Sequence, residues 1–222
     1  MNRLGLWIAL AIGAVVGLGF GARPDLDLAV SALFFDPALK VFPLRSTASI
    51  QIIRSIAEWV LVLLIAPAVI TLVIKLLWLR WWAPLSGRAA LFLIATLALA
   101  PGLLVNGVLK TYWPRPRPVQ VVEFGGPQRF VAWWDPRGQC DSNCSFVSGE
   151  SSSAFWSLAP AALAPPPWRA LAYGAAIVYG VVLSGLRIAV GGHFFTDVVF
   201  GGVFTFLIIW FAYRLIYRRP AA

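Results

Sequence analysis

The sequence predicts an all-α, polytopic membrane protein in which six transmembrane helices form one bundle, and three observations predict it. Hydrophobic residues make up 60% of the chain and charged residues 12%, with a mean hydropathy of +0.81. Several uncharged runs approach the ~20 residues that a helix needs to cross a bilayer. Short connections carrying Pro, Gly and basic residues separate some of these runs, as expected between antiparallel helices. At 222 residues the bundle uses the whole chain, so residues 1–222 are expected to form a single transmembrane domain.

The first span covers 4–22. It could be the apolar core of a signal peptide, but no small-residue cleavage site followed by soluble chain accompanies it, and a retained helix is the better reading. A mixed segment follows, with Arg23-Pro24-Asp25-Leu26-Asp27-Leu28 and Leu33-Phe34-Phe35-Asp36-Pro37. It is too polar to span and too aromatic for a free loop. An interfacial placement would put Phe34, Phe35, Phe42, Ile52 and Ile53 among headgroups and leave Lys40, Arg45 and Arg54 in water; a plain connector is the other reading. The second span, about 55–79, enters near Glu58-Trp59 and ends in an aromatic belt of Trp78, Trp81 and Trp82. The third covers 89–109. A large loop, about 110–150, precedes a fourth span at about 151–168, a fifth at 170–186 and a sixth at about 194–213, of which the fourth and sixth are weak or short.

Charge suggests an orientation. With both termini cytoplasmic, the inner side carries Arg3, Lys75, Arg80, Arg88, Arg169, Arg214, Arg218 and Arg219 and none of the nine acidic residues. The other ten Lys and Arg fall outside, several in the long loop where the positive-inside tendency is weak, so the short inner loops are the better witnesses. The net charge of +9 is expected to serve anionic lipid rather than nucleic acid. The long loop holds the only cysteines, Cys140 and Cys144. An oxidising outer compartment would allow a small disulfide. A metal site is the rival reading and would need two further soft or imidazole ligands.

Three polar patches carry the chemistry. The chain's single histidine, His193, has Arg187 six residues before it and Asp197 four residues after it. A neutral imidazole can attack phosphorus or accept a proton, and an i, i+4 carboxylate can orient it. The stretch Lys110-Thr111-Tyr112-Trp113-Pro114-Arg115-Pro116-Arg117-Pro118 sets three cations at the mouth of the third span. They are either snorkelling anchors or anion ligands, and the prolines are expected to hold Arg115 and Arg117 pointing the same way. Finally, Ser148-Gly149-Glu150-Ser151 opens the fourth span. It reads as an N-cap, and equally as a helix start whose free backbone N–H groups receive a phosphate. In an alternating bundle all three patches lie at one end.

The spacing Lys110-x6-Arg117-Pro118, then Ser148-Gly149, then Arg187-x5-His193-x3-Asp197 resembles the three-part signature of the type 2 phosphatidic acid phosphatase superfamily. The resemblance implies a metal-independent, cofactor-free phosphoric monoester hydrolase with its site at the periplasmic end of an inner-membrane bundle. In that scheme His193 attacks phosphorus to form a phosphohistidine, and Asp197 orients it. Lys110, Arg117, Arg187 and the backbone near Ser148 and Gly149 hold the phosphoryl oxygens. Arg115 falls off the signature and is left to contact substrate or lipid. Glu150 stands where the family usually has the histidine that protonates the leaving group. It can serve as that acid if burial raises its pKa toward ~6–7, although nearby cations push the other way. This substitution resembles a bacterial subset acting on lipid A, the phosphorylated glucosamine lipid. Undecaprenyl pyrophosphate, phosphatidylglycerol phosphate and phosphatidic acid are alternative substrates, and a lipid phosphotransferase or an inactive lipid-phosphate binder are alternative functions. Oligomeric state is open.

Overall fold

The computed structural model describes residues 1–77 and 83–217. The expected aromatic belt of Trp78, Trp81 and Trp82, and the inner charges Arg80, Arg218 and Arg219, lie outside the described residues. The main elements are helices: α1 (Arg3–Ala22), α2 (Asp25–Ala32), α3 (Ala48–Leu76), α4 (Gly87–Tyr112), α5 (Gly149–Phe155), α6 (Leu158–Leu163), α7 (Pro166–Ala189) and α8 (Phe195–Tyr217). Among the described residues there are only isolated β-bridges and no strands. Five of these helices, α1, α3, α4, α7 and α8, are long and apolar enough to cross a membrane.

Local chemistry sets the boundaries. Asn2 caps α1 by accepting from the Gly5 amide at 3.0 Å, and Ser86 caps α4 by accepting from Ala89 at 3.2 Å. Proline opens α7, where a missing N–H costs nothing. Within α4, Pro101 cannot donate to the carbonyl four residues back, and residues Ala98–Leu109 wind as a wider π-helix. Asn106 then satisfies the carbonyl of Pro101, five residues earlier, with its side-chain amide at 2.7 Å.

The expected fourth span is not one long helix. Pro160 can neither donate to the Trp156 carbonyl nor fit beside it in a regular turn, so the run breaks at Trp156-Ser157 into α5 and α6. These two short helices lie at the centre of the molecule. Trp156, Leu158, Ala159 and Ala161 pack with Phe92 and Leu93 of α4 and Ile209 of α8, and the Trp156 indole donates to Thr96 Oγ1 at 3.0 Å. The small residues of this run let surrounding helices close on it.

The segment between α1 and α3 turns some of its rings inward and leaves others exposed. Phe42 is buried against Val121, Phe124 and Phe194, and Phe35 packs onto the same cluster, while Phe34, Ile52 and Ile53 stay exposed. The apolar partners supplied by the long loop give these rings a drier home than an interface would. The same end of the bundle gathers the start of α3, the end of α4, the start of α5, the end of α7 and the start of α8.

Candidate active site

His193 lies in the turn between α7 and α8. Gly191 takes the left-handed conformation there, at φ +63°, and a Cβ on it would stand 2.5 Å from the Phe42 ring. A Cβ on Gly192 would stand 2.5 Å from Arg187 Nη2. The two glycines therefore let the turn fold tightly and bring the Arg187 guanidinium against the backbone beside His193.

The imidazole is 2% exposed, and its Nδ1 sits 2.8 Å from the carbonyl oxygen of Ser145. A carbonyl only accepts, so Nδ1 carries the hydrogen of the neutral ring and Nε2 keeps its lone pair. Burial, opposed by Asp197 and aided by Arg187, pushes the pKa of His193 down from 6.5 to about 4. The ring is thus neutral near pH 7, as a nucleophile must be.

Asp197 does not grip this ring as the i, i+4 spacing suggested. Its Oδ2 lies 3.8 Å from Nδ1, too far for a hydrogen bond. Its oxygens are engaged elsewhere, accepting from Ser145 Oγ, from the Phe194 amide at 2.8 Å and from Arg115 Nη1 at 2.6 Å. Asp197 therefore acts on His193 through charge and through the Ser145 segment whose carbonyl sets the tautomer.

Arg115 likewise differs from its expected place. It touches neither open solvent nor lipid, being completely buried, and it does not share a partner with Arg117. Its guanidinium donates to Asp27 Oδ2 at 2.7 Å, to Asp197 Oδ1 and to Thr196 Oγ1 at 2.8 Å, and lies 4.4 Å from the centre of the Phe194 ring. Asp27 also accepts from the Thr196 amide at 3.0 Å. Burial opposes the charge on Arg115, but Asp197 and Asp27 together outweigh it and its pKa is raised. Two carboxyl groups thus share one guanidinium next to the imidazole, with burial pushing the pKa of Asp27 up.

The opposite side is positive. A Cβ on Gly149 would come within 3.0 Å of Lys110 Nζ and 3.2 Å of Asn106 Oδ1, so the bare glycine is what admits the ammonium. Arg117 donates from Nη2 to the Asn143 carbonyl and side-chain oxygens, each at 2.8 Å, and Lys110 Nζ reaches that side chain at 3.4 Å. Asn143 adopts the left-handed conformation at φ +50° inside the small ring closed by a Cys140–Cys144 disulfide. A cleft lined by Asn106, Lys110, Thr111, Asp141, Ser142 and Asn143 opens beside these cations.

Two further residues are engaged in contacts that the sequence did not indicate. Ser148 caps α5, accepting from the Ser151 amide at 3.2 Å, but its own N–H is committed to the Asp197 carbonyl at 3.0 Å and is not free for a phosphate. Glu150 lies between two arginines. Burial raises its pKa, but Arg187 and Arg54 outweigh that and hold it below the ordinary carboxylate value. Arg54 donates to it from Nη2 at 2.8 Å and from Nε at 3.3 Å, and Arg187 Nη1 stands 3.5 Å from the same Oε1. Sequence reasoning left Arg54 in water and gave Asp27, Ser145 and Asn143 no part. Asp27 lies 170 positions from Asp197 in the chain, and only the close acidic pair Asp25 and Asp27 beside an apolar segment hinted at it.

The PAP2 superfamily profile matches residues 89–221 of this chain. The chain belongs to the PAP2 superfamily. Three curated relatives are lipid A 4'-phosphatases. The protein of Francisella tularensis subsp. novicida is 46% identical over 134 residues, which is 60% of this chain and 60% of that one. The Rhizobium leguminosarum protein is 33% identical over 213 residues, covering 88% of this chain and 87% of its own. The Rhizobium etli protein is 32% identical over 213 residues, covering 88% and 78%. The chain therefore spans less than two thirds of the first of these relatives and more of the other two. No solved structure matches. PAP2 membership and these relatives support a phosphoric monoester hydrolase of the membrane.

Proposed function

We propose that this PAP2 protein removes a phosphate monoester from a phosphorylated glucosamine lipid of the lipid A class. The observation that carries the reading is His193 itself: a neutral ring with Nδ1–H fixed on the Ser145 carbonyl, set between the Asp197–Arg115–Asp27 network and a cluster of cations. In the proposed reaction Nε2 attacks phosphorus, the N–P bond forms and the P–O bond to the lipid breaks. The leaving oxygen takes its proton from the phosphate monoanion or from water. Asp197, backed by Arg115 and Asp27, steadies the positive ring of the phosphohistidine. Lys110, Arg117 and Arg187 neutralise the phosphoryl oxygens, and a well-aimed donor of this kind lowers the barrier by ~3–4 kcal/mol in other enzymes. Water then attacks the phosphohistidine, releasing phosphate and neutral His193. Gly149 is proposed to admit Lys110 rather than to bind phosphate itself.

The substrate class rests on the three relatives and on the replacement of the family's usual histidine by Glu150. On this reading the protein is a single domain of the bacterial inner membrane, with the site facing the periplasm and the termini in the cytoplasm. It is tested by phosphate release from lipid A, undecaprenyl pyrophosphate, phosphatidylglycerol phosphate and phosphatidic acid, using purified protein in detergent. Release from lipid A that is lost in His193→Ala and survives chelation is expected. Release from a different lipid alone would replace the substrate, and strict metal dependence would remove the phosphohistidine scheme.

A further inference from the structure

In the Arg54–Glu150–Arg187 contact only Arg54 lies outside the signature that the family resemblance supplied, and the geometry is that of an occupied anion site. Arg54 meets both oxygens of Glu150, at 2.8 and 3.3 Å, and Arg187 Nη1 stands 3.5 Å from Oε1. Apart from that single long contact, Arg187 is poorly served. It is buried to 7% exposure, and its Nε has no hydrogen-bond partner among the described residues. A guanidinium carries five N–H donors, so this one lacks acceptors. Among the described residues Glu150 is the only acid paired with Arg54 or Arg187, and Lys110 and Arg117 are also close. The pair is not locked in: the side chains of Arg54 and Glu150 are 33% and 35% exposed, and exposed ion pairs exchange partners cheaply.

We propose that Glu150 is a stand-in anion, whose carboxylate spans Arg54 and Arg187 before substrate arrives and is displaced by the substrate's phosphate, so that Arg54 becomes a fourth phosphate ligand beside Lys110, Arg117 and Arg187. A phosphate monoester outcompetes a carboxylate for two guanidinium groups because it brings more charge and a third acceptor oxygen. Displacement also strips Glu150 of its cations and sets it next to a dianion. The inference rests on the phosphatase reading above and names Arg54 as a further phosphate ligand of that site.

The test is a double-mutant cycle on the affinity for inorganic phosphate, measured by calorimetry on the full-length protein in detergent at constant ionic strength, beside lipid turnover. The forms are wild type, Glu150→Gln, Arg54→Gln and the double variant, all at a part-exposed pair whose loss leaves the core intact. Glu150→Gln is expected to bind phosphate about threefold tighter or more, because the competitor is gone. Arg54→Gln is expected to weaken phosphate binding about tenfold both in the wild-type protein and in the Glu150→Gln variant. Weakening seen only while Glu150 is intact would show that Arg54 merely holds Glu150 and would overturn the proposal, as would looser phosphate binding in Glu150→Gln. If no form binds phosphate and His193→Ala hydrolyses lipid as well as wild type, the phosphatase reading itself falls and this inference with it.

Discussion

His193 is the only histidine in the chain, so its protonation can be read without assignment. In the folded protein burial holds its pKa at about 4 against 6.5 ordinarily, and a nitrogen-labelled histidine signal should therefore titrate near pH 4; a midpoint above pH 6 would mean that the ring is not enclosed as described. The sign of the linked stability follows. Between those two values the unfolded chain binds a proton that the folded ring refuses, so the contribution is whole above pH 6.5 and is lost as pH falls towards 4. Arg115 gives a second expectation at this scale. Removing one partner of a buried ion network costs ~3–5 kcal/mol, because the remaining charges stay buried without their counterpart. Arg115→Ala should thus lower the thermal midpoint in detergent sharply. Arg115→Lys should rescue little of it, since an ammonium cannot reproduce the fork that serves Asp27, Asp197 and Thr196 together. His193 could be singled out in the sequence as the candidate nucleophile because it is unique and flanked by Arg187 and Asp197. The hand that holds it was not, because a backbone carbonyl does that work, and every residue has one.

At the scale of elements, the site depends on how α4 presents Lys110 and how the long loop presents Asn143. The wide turns of residues Ala98–Leu109 bring Asn106 and Lys110 to the same neighbour, Gly149. Gly149→Ala should leave the fold standing, since alanine suits a helix start and the atoms it meets are the ends of flexible side chains. It should still cost turnover about tenfold or more by moving the ammonium, as small displacements of catalytic groups do. Equal losses of turnover and of thermal stability would place Gly149 in the packing instead. The disulfide ring makes a separate expectation. Reduction, or Cys140→Ser with Cys144→Ser, frees the left-handed Asn143 from Arg117 and should raise KM several-fold while leaving the thermal midpoint of the helical core nearly unchanged. Here the sequence foretold the pairing of Cys140 with Cys144 as one of two readings and could not foretell its use. A left-handed asparagine that serves two cations 26 and 33 positions away is a product of the loop's path.

At the scale of the molecule, apolar run length was enough to locate the five long helices to within a few residues at most ends, because crossing a bilayer sets that length directly. The start of α3 was the exception: it begins seven residues before the expected 55, since Ala48–Arg54 are polar enough to escape a hydropathy reading yet continue the same helix to deliver Arg54. The run expected as a fourth span at about 151–168 is instead two short helices within 149–163. Its serines and alanines are small enough to lie at the centre of the bundle, where neither length nor strong hydropathy is demanded, and Pro160 divides it. Both α4 and α7 end at the site, and α7 is a 24-residue helix of roughly 36 Å. The chain must therefore return from the site end to the far end between them, and the α5–α6 run, which starts at the site and leads into α7, makes that return. That geometry makes the proposed orientation testable with two labels. In a background lacking Cys140 and Cys144, a cysteine replacing the exposed Glu123 lies on the site side, and one replacing the exposed Arg88 lies at the start of α4 on the other. A membrane-impermeant thiol reagent applied to the outer face of the inner membrane should label Glu123→Cys in intact spheroplasts and Arg88→Cys only after lysis. The reverse pattern would turn the site to the cytoplasm, and would require that the arginines of the short loops had been outweighed by the ten cations gathered at the site end.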